Sequence, residues 1–171
     1  MSKNLVLTGM MGVGKSTIGK NLAERLSFSF VDIDKLIETK EGSSINLIFR
    51  NKSENYFRRL ENIVSLEELK KSDSVISLGG GAFLNNAIRR AVKYSSVSFW
   101  LDVDINELTK RLNKTKRRPL LAGKNLKDNI NKIYLERKKT YSEADYRIKC
   151  NFLDPETIVN KILKIYEKSG N

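Results

Sequence analysis

The most informative stretch of the sequence is GMMGVGKST at residues 9–17, which fits the phosphate-binding pattern G-x-x-x-x-G-K-[ST]. A short apolar run precedes it and an amphipathic helical pattern follows it, as such a loop requires. The glycines and backbone N–H groups of such a loop can bind an anion. The alternative interpretation is a plain turn between strand and helix. We predict that Lys15 reaches the β- and γ-phosphates of a nucleotide and that the Ser16 hydroxyl binds Mg²⁺. The predicted nucleotide-binding residues are Gly12, Val13, Gly14, Lys15, Ser16 and Thr17.

Two aspartates, Asp32 and Asp34, follow the second apolar segment of the chain. Because side chains along a strand alternate, we expect both carboxylates to point to the same side of a strand end. One carboxylate could help hold Mg²⁺ through water, and the other could meet an acceptor hydroxyl. The alternative is a pair of strand-end or helix-cap aspartates without a role in chemistry.

Charged and glycine residues also cluster later in the chain. Arg58 and Glu61 are three residues apart on a predicted helix, so they should share a face, either as a functional pair or as an exposed ion pair. The triple glycine Gly79, Gly80 and Gly81 follows the third predicted strand, where it could approach a ligand and offer N–H donors or form a loose turn.

The basic segment at residues 113–124 has no apolar periodicity and is a candidate mobile lid. Arg118 within it could stabilise a transferring phosphoryl group, although a solvated basic loop is the alternative. Arg137 lies late in a basic helix, where an ordinary solvated face is a strong alternative.

Strands and helices alternate along the chain, which predicts a three-layer α/β fold with a parallel sheet and helices on both faces. Ligands should gather at the carboxyl ends of the strands. No repeat or linker divides residues 1–171, so we expect one domain.

Composition narrows the classes of function. The chain has 171 residues, no histidine and one cysteine. Any proton abstraction must therefore use a carboxylate or no strong base at all, and a reducing cytoplasm is expected. We expect no signal peptide, because the stretch before the first strand is short and polar, and no membrane span, because no apolar run is long enough. The net charge of +12 is compatible with nucleic-acid binding, but the lysines are spread along the chain and favour a solvated surface.

Together these motifs resemble the shikimate kinases across nearly the whole sequence. The matching pieces are residues 9–17, 32–34, 57–61, 79–81 and 118–121, and Arg137 followed by Tyr141, Glu143 and Ala144. The resemblance implies a nucleoside-monophosphate-kinase-like fold with a five-stranded parallel sheet. It also implies transfer of the γ-phosphate of ATP to the 3-hydroxyl of shikimate, in chorismate and aromatic amino-acid synthesis. We expect a monomer whose partners are ATP and shikimate, without nucleic acid or membrane.

The same resemblance assigns roles by position. Asp34 would bind the shikimate hydroxyls and orient or deprotonate the acceptor, Arg58 and Arg137 would hold the carboxylate, and Gly80 would give a backbone contact. The remaining roles concern the nucleotide and metal: Arg118 would contact the phosphates, Asp32 would be a water-mediated Mg²⁺ partner, and Arg111 would lie near adenine. Arg117 directly precedes Arg118 and could serve instead, although Pro119 favours Arg118. The family's usual proline between Arg137 and Tyr141 is absent here, which leaves the end of that helix open.

Rival interpretations are a gluconate or nucleoside monophosphate kinase, a GTPase switch and a nucleic-acid-binding module. A GTPase would need the motif N-K-x-D, and both candidate segments, at residues 51–54 and 113–116, lack its aspartate.

Overall fold

The computed structural model of the chain describes residues 3–113 and 125–169. Its five strands form one parallel sheet in the order β2-β3-β1-β4-β5. The strands are β1 Asn4–Thr8, β2 Ser29–Asp32, β3 Ser74–Ser77, β4 Ser96–Asp102 and β5 Tyr146–Lys149. The predicted α/β fold with a five-stranded parallel sheet is therefore confirmed.

Eight α-helices lie within the described residues. They are α1 Lys15–Leu26, α2 Ile33–Glu41, α3 Ile45–Asn51, α4 Glu54–Leu69, α5 Asn86–Ser95, α6 Ile105–Asn113, α7 Leu126–Tyr141 and α8 Pro155–Lys168. In the two described ranges, none of these helices has the length and apolarity needed to cross a bilayer.

The centre of the sheet is apolar and buried on both faces. Strands β1, β3 and β4 are buried at every position, whereas β2 and β5 at the two edges are partly exposed. Strand β1 pairs with both of its neighbours, so that Leu5 lies opposite Val75 on one side and Val97 on the other. The loop after β1 therefore leaves from the middle of the sheet, where neighbouring strand ends can surround a ligand.

The two main crossovers place helices on opposite faces of this sheet. The connection through α1 leads from β1 toward the β2 edge, and the connection through α5 leads from β3 past β1 in the opposite direction. Because parallel crossovers are right-handed, these two helices must cover different faces. Consistently, α1 packs with α8, and α5 packs with α4. The predicted helices on both faces are confirmed.

Candidate active site

The phosphate-binding loop joins the end of β1 to the start of α1 at Lys15. Gly14 precedes the helix with φ 102° and provides no side-chain cap, so the first N–H groups of α1 are open to an anion. Lys15 is 9% exposed, and its Nζ donates hydrogen bonds to the carbonyl oxygens of Gly9 and Met10, both at 2.9 Å. The loop thus encloses the ammonium group of Lys15. Contact between Lys15 and nucleotide phosphates stays a prediction.

Ser16 and Asp32 form an oxygen pair beside this loop. The Ser16 hydroxyl donates to Oδ2 of Asp32, while Oδ1 of Asp32 accepts the Lys35 N–H at 3.2 Å and caps α2. Mg²⁺ prefers hard oxygen ligands and takes only one or two from the protein, with phosphate and water supplying the rest. A hydroxyl and a carboxylate next to a phosphate-binding loop fit that ion.

The strand-alternation argument for Asp34 is wrong. Asp32 is the last residue of β2, but Asp34 is the second residue of α2, because the helix begins immediately at Ile33. The two carboxylates nevertheless line the same cavity, since a helix that starts directly at a strand end keeps its first turn at the sheet edge.

That cavity has a volume of about 890 Å³ and extends from the phosphate-binding loop to α3, α4 and α7. Its lining includes side chains from the loop, both aspartates and both predicted substrate arginines. The chemistry-bearing residues that line it are Ser16, Asp32, Asp34, Arg58, Glu61, Gly80, Gly81 and Arg137. Distant parts of the sequence therefore converge on one space.

On α4, Arg58 and Glu61 do share a face, and Nη1 of Arg58 lies 2.8 Å from Oε2 of Glu61. The alternative of an exposed ion pair is wrong, because the Glu61 side chain is only 3% exposed. Arg58 also contacts the exposed Glu54 at 3.1 Å. The second oxygen of Glu61, Oε1, is buried and has no hydrogen-bond partner among the described residues. Glu61 was predicted only as a partner of Arg58, and this orphaned acceptor marks it as a candidate site residue.

Burial raises the pKa of the Glu61 carboxyl above its ordinary 4.5, against the opposing charge of Arg58, and the negative charge of Asp34 adds to the rise. The folded protein therefore holds a proton on Glu61 at pH values where the unfolded chain has lost it. By linkage, the stability due to this group is fully present below the unfolded pKa and is lost as the pH rises through the folded pKa.

We therefore predict that Glu61→Gln becomes more stable relative to the wild type, in free energy of unfolding, as the pH rises from about 4 to about 7. Urea unfolding of both proteins at the two pH values measures this difference. Glu54→Gln is the control, because it removes the other carboxylate that contacts Arg58 without removing a buried one. A difference between wild type and Glu61→Gln that stays constant with pH would contradict the assignment.

The triple glycine lies where the side chains of α2 and α4 reach the sheet edge. A Cβ on Gly79 would lie 2.5 Å from Oε1 of Glu61 and 2.6 Å from Oδ1 of Asp34, and one on Gly81 would lie 2.5 Å from Nη1 of Arg58. These positions exclude larger residues because charged site groups fill the space. In addition, the Gly80 carbonyl accepts hydrogen bonds from Arg137 and Tyr141, and donation from the N–H groups of this loop to a ligand stays a prediction.

Gly79→Ala should therefore displace the Asp34 and Glu61 carboxylates without unfolding the protein, because flexible side-chain ends can move aside. We predict a fall in kcat/KM for the acid substrate of about 10- to 100-fold, as a misplacement of about 1 Å can produce. Steady-state kinetics with varied acceptor measures the change, and nucleotide affinity should stay at the wild-type value. Unaltered acceptor kinetics would show that these carboxylates do not position the substrate.

On α7, Arg137 is 9% exposed and its Nη1 donates to the Gly80 carbonyl at 2.8 Å. The helix continues without a break through residues 138–140 to Tyr141, so the missing proline does not shorten it. Arg137 and Arg58 line the same cavity as Asp34. The structure thus brings together the three residues predicted to hold an acid substrate.

Arg111, on α6, lies beside the phosphate-binding loop. Its Nη1 donates to the carbonyl of Val13 at 3.4 Å, and its Nη2 pairs with Glu107. This places it on the nucleotide side of the loop, and contact with adenine stays a prediction. Of the predicted lid at residues 113–124, only Asn113 is described, as the last residue of α6, and Arg118 lies outside the described residues.

Sequence reasoning missed the wall that α3 contributes to the cavity. Ile45, Asn46 and Phe49 line it, and Phe49 packs edge-on against Phe57 of α4 with ring centroids 5.0 Å apart. No motif marks these residues. The available signal was the cap at Ser44, which accepts the Leu47 N–H at 3.4 Å and starts a short helix.

Comparisons with known proteins agree with this geometry. The family model described as "Shikimate kinase" matches residues 11–167. The shikimate kinase of Persephonella marina is 44% identical over 94% of this chain and 97% of its own length. That of Thermodesulfovibrio yellowstonii is 37% identical over 99% of this chain and 98% of its own length.

Solved structures point the same way. Shikimate kinase from Acinetobacter baumannii, in complex with shikimate, superimposes with a TM-score of 0.95 at 31% identity, covering 99% of this chain and 96% of that one. A gluconokinase from Sinorhizobium meliloti, at 13% identity and a TM-score of 0.58, shares the fold alone. The chain belongs to the shikimate kinase family and is a kinase of aromatic biosynthesis.

Proposed function

We propose that this kinase transfers the γ-phosphoryl group of ATP to the 3-hydroxyl of shikimate within the cavity between the phosphate-binding loop and α4, giving shikimate 3-phosphate and ADP. Phosphorylation of shikimate by ATP follows from membership of the family. The assignment of the hydroxyl and of each residue's role is our proposal. The observation that carries it is the convergence of Asp34, Arg58 and Arg137 on one cavity that Ser16 also lines.

On the nucleotide side, the loop N–H groups and the start of α1 would hold the phosphates. Lys15 would leave its carbonyl partners, at least in part, and place its charge on the β- and γ-phosphates. Arg118 would add a second positive charge from the lid, and Arg111 would lie against adenine. The nucleotide contacts are assigned to Gly12, Val13, Gly14, Lys15, Ser16, Thr17, Arg111 and Arg118.

On the acceptor side, Arg58 and Arg137 would clamp the carboxylate of the acid by charge-assisted hydrogen bonds. Asp34 would accept a hydrogen bond from the acceptor hydroxyl and orient it, or take its proton. Glu61 would hold the Arg58 guanidinium in place through its ion pair. The glycine loop, Gly79 to Gly81, leaves the space that these groups need. Phosphoryl transfer depends mainly on such positioning, which suits a protein without histidine.

Ser16 and Asp32 would hold Mg²⁺, which when bound supplies neutralisation of charge on the phosphates. We predict that Asp32→Asn raises the Mg²⁺ concentration needed for half-maximal turnover by about tenfold, the effect expected of an outer-shell partner. Titration of ADP release with Mg²⁺ at fixed ATP measures the shift. Asp104→Asn is a suitable control, because that exposed carboxylate caps the start of α6. A titration curve identical to that of the wild type would remove Asp32 from the metal site.

Coupled measurement of ADP release tests the proposed reaction directly. We expect turnover with ATP and shikimate, and little with gluconate, nucleoside monophosphates or hydroxy acids that lack the matching hydroxyl. Preference for a neutral sugar or a nucleotide acceptor would overturn the assignment of the arginine clamp. Much tighter binding of GTP than of ATP would instead favour a GTPase.

We also propose that the protein works as a monomer in the cytoplasm, independent of nucleic acid. The single cysteine, Cys150, is buried, and burial raises its pKa to about 11, so it is an unreactive thiol that needs no oxidising environment. Salt-dependent retention of the protein on DNA tests whether the net charge of +12 serves to bind nucleic acid.

A further inference from the structure

Tyr141 occupies an unusual position at the end of α7. Its side chain is fully buried, and its hydroxyl donates a hydrogen bond to the carbonyl oxygen of Gly80. The same carbonyl accepts Nη1 of Arg137 at 2.8 Å. Arg137 and Tyr141 are four residues apart on one helix face, so both reach the same acceptor. A carbonyl oxygen has two lone pairs, and these two donors occupy both.

Tyr141 also contacts the phosphate-binding loop. Its hydroxyl lies 3.9 Å from Sδ of Met10, and its ring packs at a tilt on Trp100 with centroids 5.9 Å apart. The backbone carbonyl of Met10 is in turn a partner of Lys15. The phenol therefore lies between the loop for the nucleotide and the arginine for the acceptor, and the rigid core behind it fixes its position.

The Gly80 carbonyl accepts one N–H of the Arg137 guanidinium, whose fork carries further donors, and a hydrogen bond also links Arg137 to Tyr141. Gly80 has no side chain to anchor it, and it follows a strand that ends at Ser77. The hydrogen bond from the buried Tyr141 hydroxyl links the Gly80 carbonyl to the core. Burial raises the pKa of this phenol, so the hydroxyl stays protonated and remains a donor throughout the working range of pH.

We propose that Tyr141 is a positioning residue for acceptor binding: its hydroxyl fixes the Gly80 carbonyl, which holds the guanidinium of Arg137 at the angle that the carboxylate of the acid requires. This inference rests on the proposed arginine clamp. Tyr141 is not among the residues that line the cavity. It acts through Gly80 and Arg137, and its effect should appear in acceptor affinity and not in nucleotide affinity.

Tyr141→Phe removes only the hydroxyl and keeps the ring that packs on Trp100. We expect the Kd and KM for shikimate to rise about 5- to 10-fold, as for the loss of one hydrogen bond, with kcat within about twofold and the ATP Kd unchanged. Tyr134→Phe is the matched control, because Tyr134 is on the same helix and its hydroxyl also donates, at 3.1 Å, to Asp102 outside this cavity. It should leave the shikimate Kd unchanged. An unchanged shikimate Kd in Tyr141→Phe, whatever happens to its stability, would overturn the proposal.

A double-mutant cycle separates this inference from the clamp on which it rests. If Tyr141 acts through Arg137, then Tyr141→Phe should have almost no further effect on shikimate Kd in an Arg137→Ala protein. Equal effects in both backgrounds would show a general structural role and overturn the inference while the clamp stands. If Arg137→Ala itself leaves the shikimate Kd unchanged, the clamp fails, and the role of Tyr141 fails with it.

Discussion

Lys15→Ala is expected to lower kcat by on the order of 1,000-fold or more while the domain stays folded. The side chain is the one cation of the phosphate-binding motif, and stabilisation of charge on the transferring group is the main source of catalysis in such kinases. Its buried Nζ donates hydrogen bonds to the carbonyl oxygens of Gly9 and Met10 in the loop, so we expect the central sheet to stay intact without it. Coupled ADP release, with circular dichroism and an unfolding curve on the same sample, measures both properties.

Lys20→Ala is the matched control for this variant. Lys20 lies on the same helix, α1, but is exposed, so its removal should leave kcat close to that of the wild type. Substantial turnover by a folded Lys15→Ala protein would refute the role of Lys15. A variant that loses activity only because it unfolds would be recognised by its unfolding curve, and Lys15→Met, which keeps most of the stem, would then replace it.

Arg58→Ala and Arg137→Ala are each expected to weaken shikimate binding by roughly 30- to 300-fold with ATP affinity near normal. Truncating one partner of a buried charge pair costs about 2–5 kcal/mol, and the lower end applies because the Arg58 side chain is 30% exposed. Calorimetric titration with shikimate and with ATP, performed separately, gives the two affinities. We expect the affinity for shikimate alone to fall, since general damage to the fold would weaken the affinities for shikimate and ATP alike.

Each arginine has a neighbouring control. Arg59 follows Arg58 on α4 but is exposed, and Lys139 is an exposed cation two residues after Arg137 on α7. Replacing either with alanine changes the net charge by the same amount and should leave shikimate affinity within about twofold of the wild type. Equal losses in the control and the clamp variants would mean that overall charge attracts the acid, and the clamp would be wrong.

The part of the site that the sequence predicted best is the part set by local rules. The phosphate-binding loop is specified by its own glycines and by the strand and helix on either side, so Lys15 and Ser16 lie where the motif places them. The spacing of Arg58 and Glu61 on one helix similarly fixes a shared face. These predictions need no knowledge of distant parts of the chain.

Predictions were wrong or incomplete where the position of a residue depends on packing between distant elements of the fold. The alternation rule misplaced Asp34 because α2 begins at Ile33, which only the cap formed by Asp32 reveals. The burial of Glu61 depends on the approach of α4 to the loop after β3, and the sheet order that brings them together has no local signal. The wall supplied by Phe49 was missed for the same reason.

The triple glycine in the loop after β3 was likewise predicted only in its local aspect. Three consecutive glycines indicate a close approach, but the sequence does not say what approaches. In the structure, the neighbours are the carboxylates of Glu61 and Asp34 at Gly79 and the guanidinium of Arg58 at Gly81. Side chains far apart in sequence therefore explain a motif that looks purely local.

A crystal structure of the protein with ADP and shikimate would test the arginine clamp most directly. We expect the shikimate carboxylate between the guanidinium groups of Arg58 and Arg137, and a hydroxyl beside Asp34 that faces the phosphate-binding loop. Shikimate bound elsewhere, or bound in this cavity with its carboxylate away from both arginines, would contradict it.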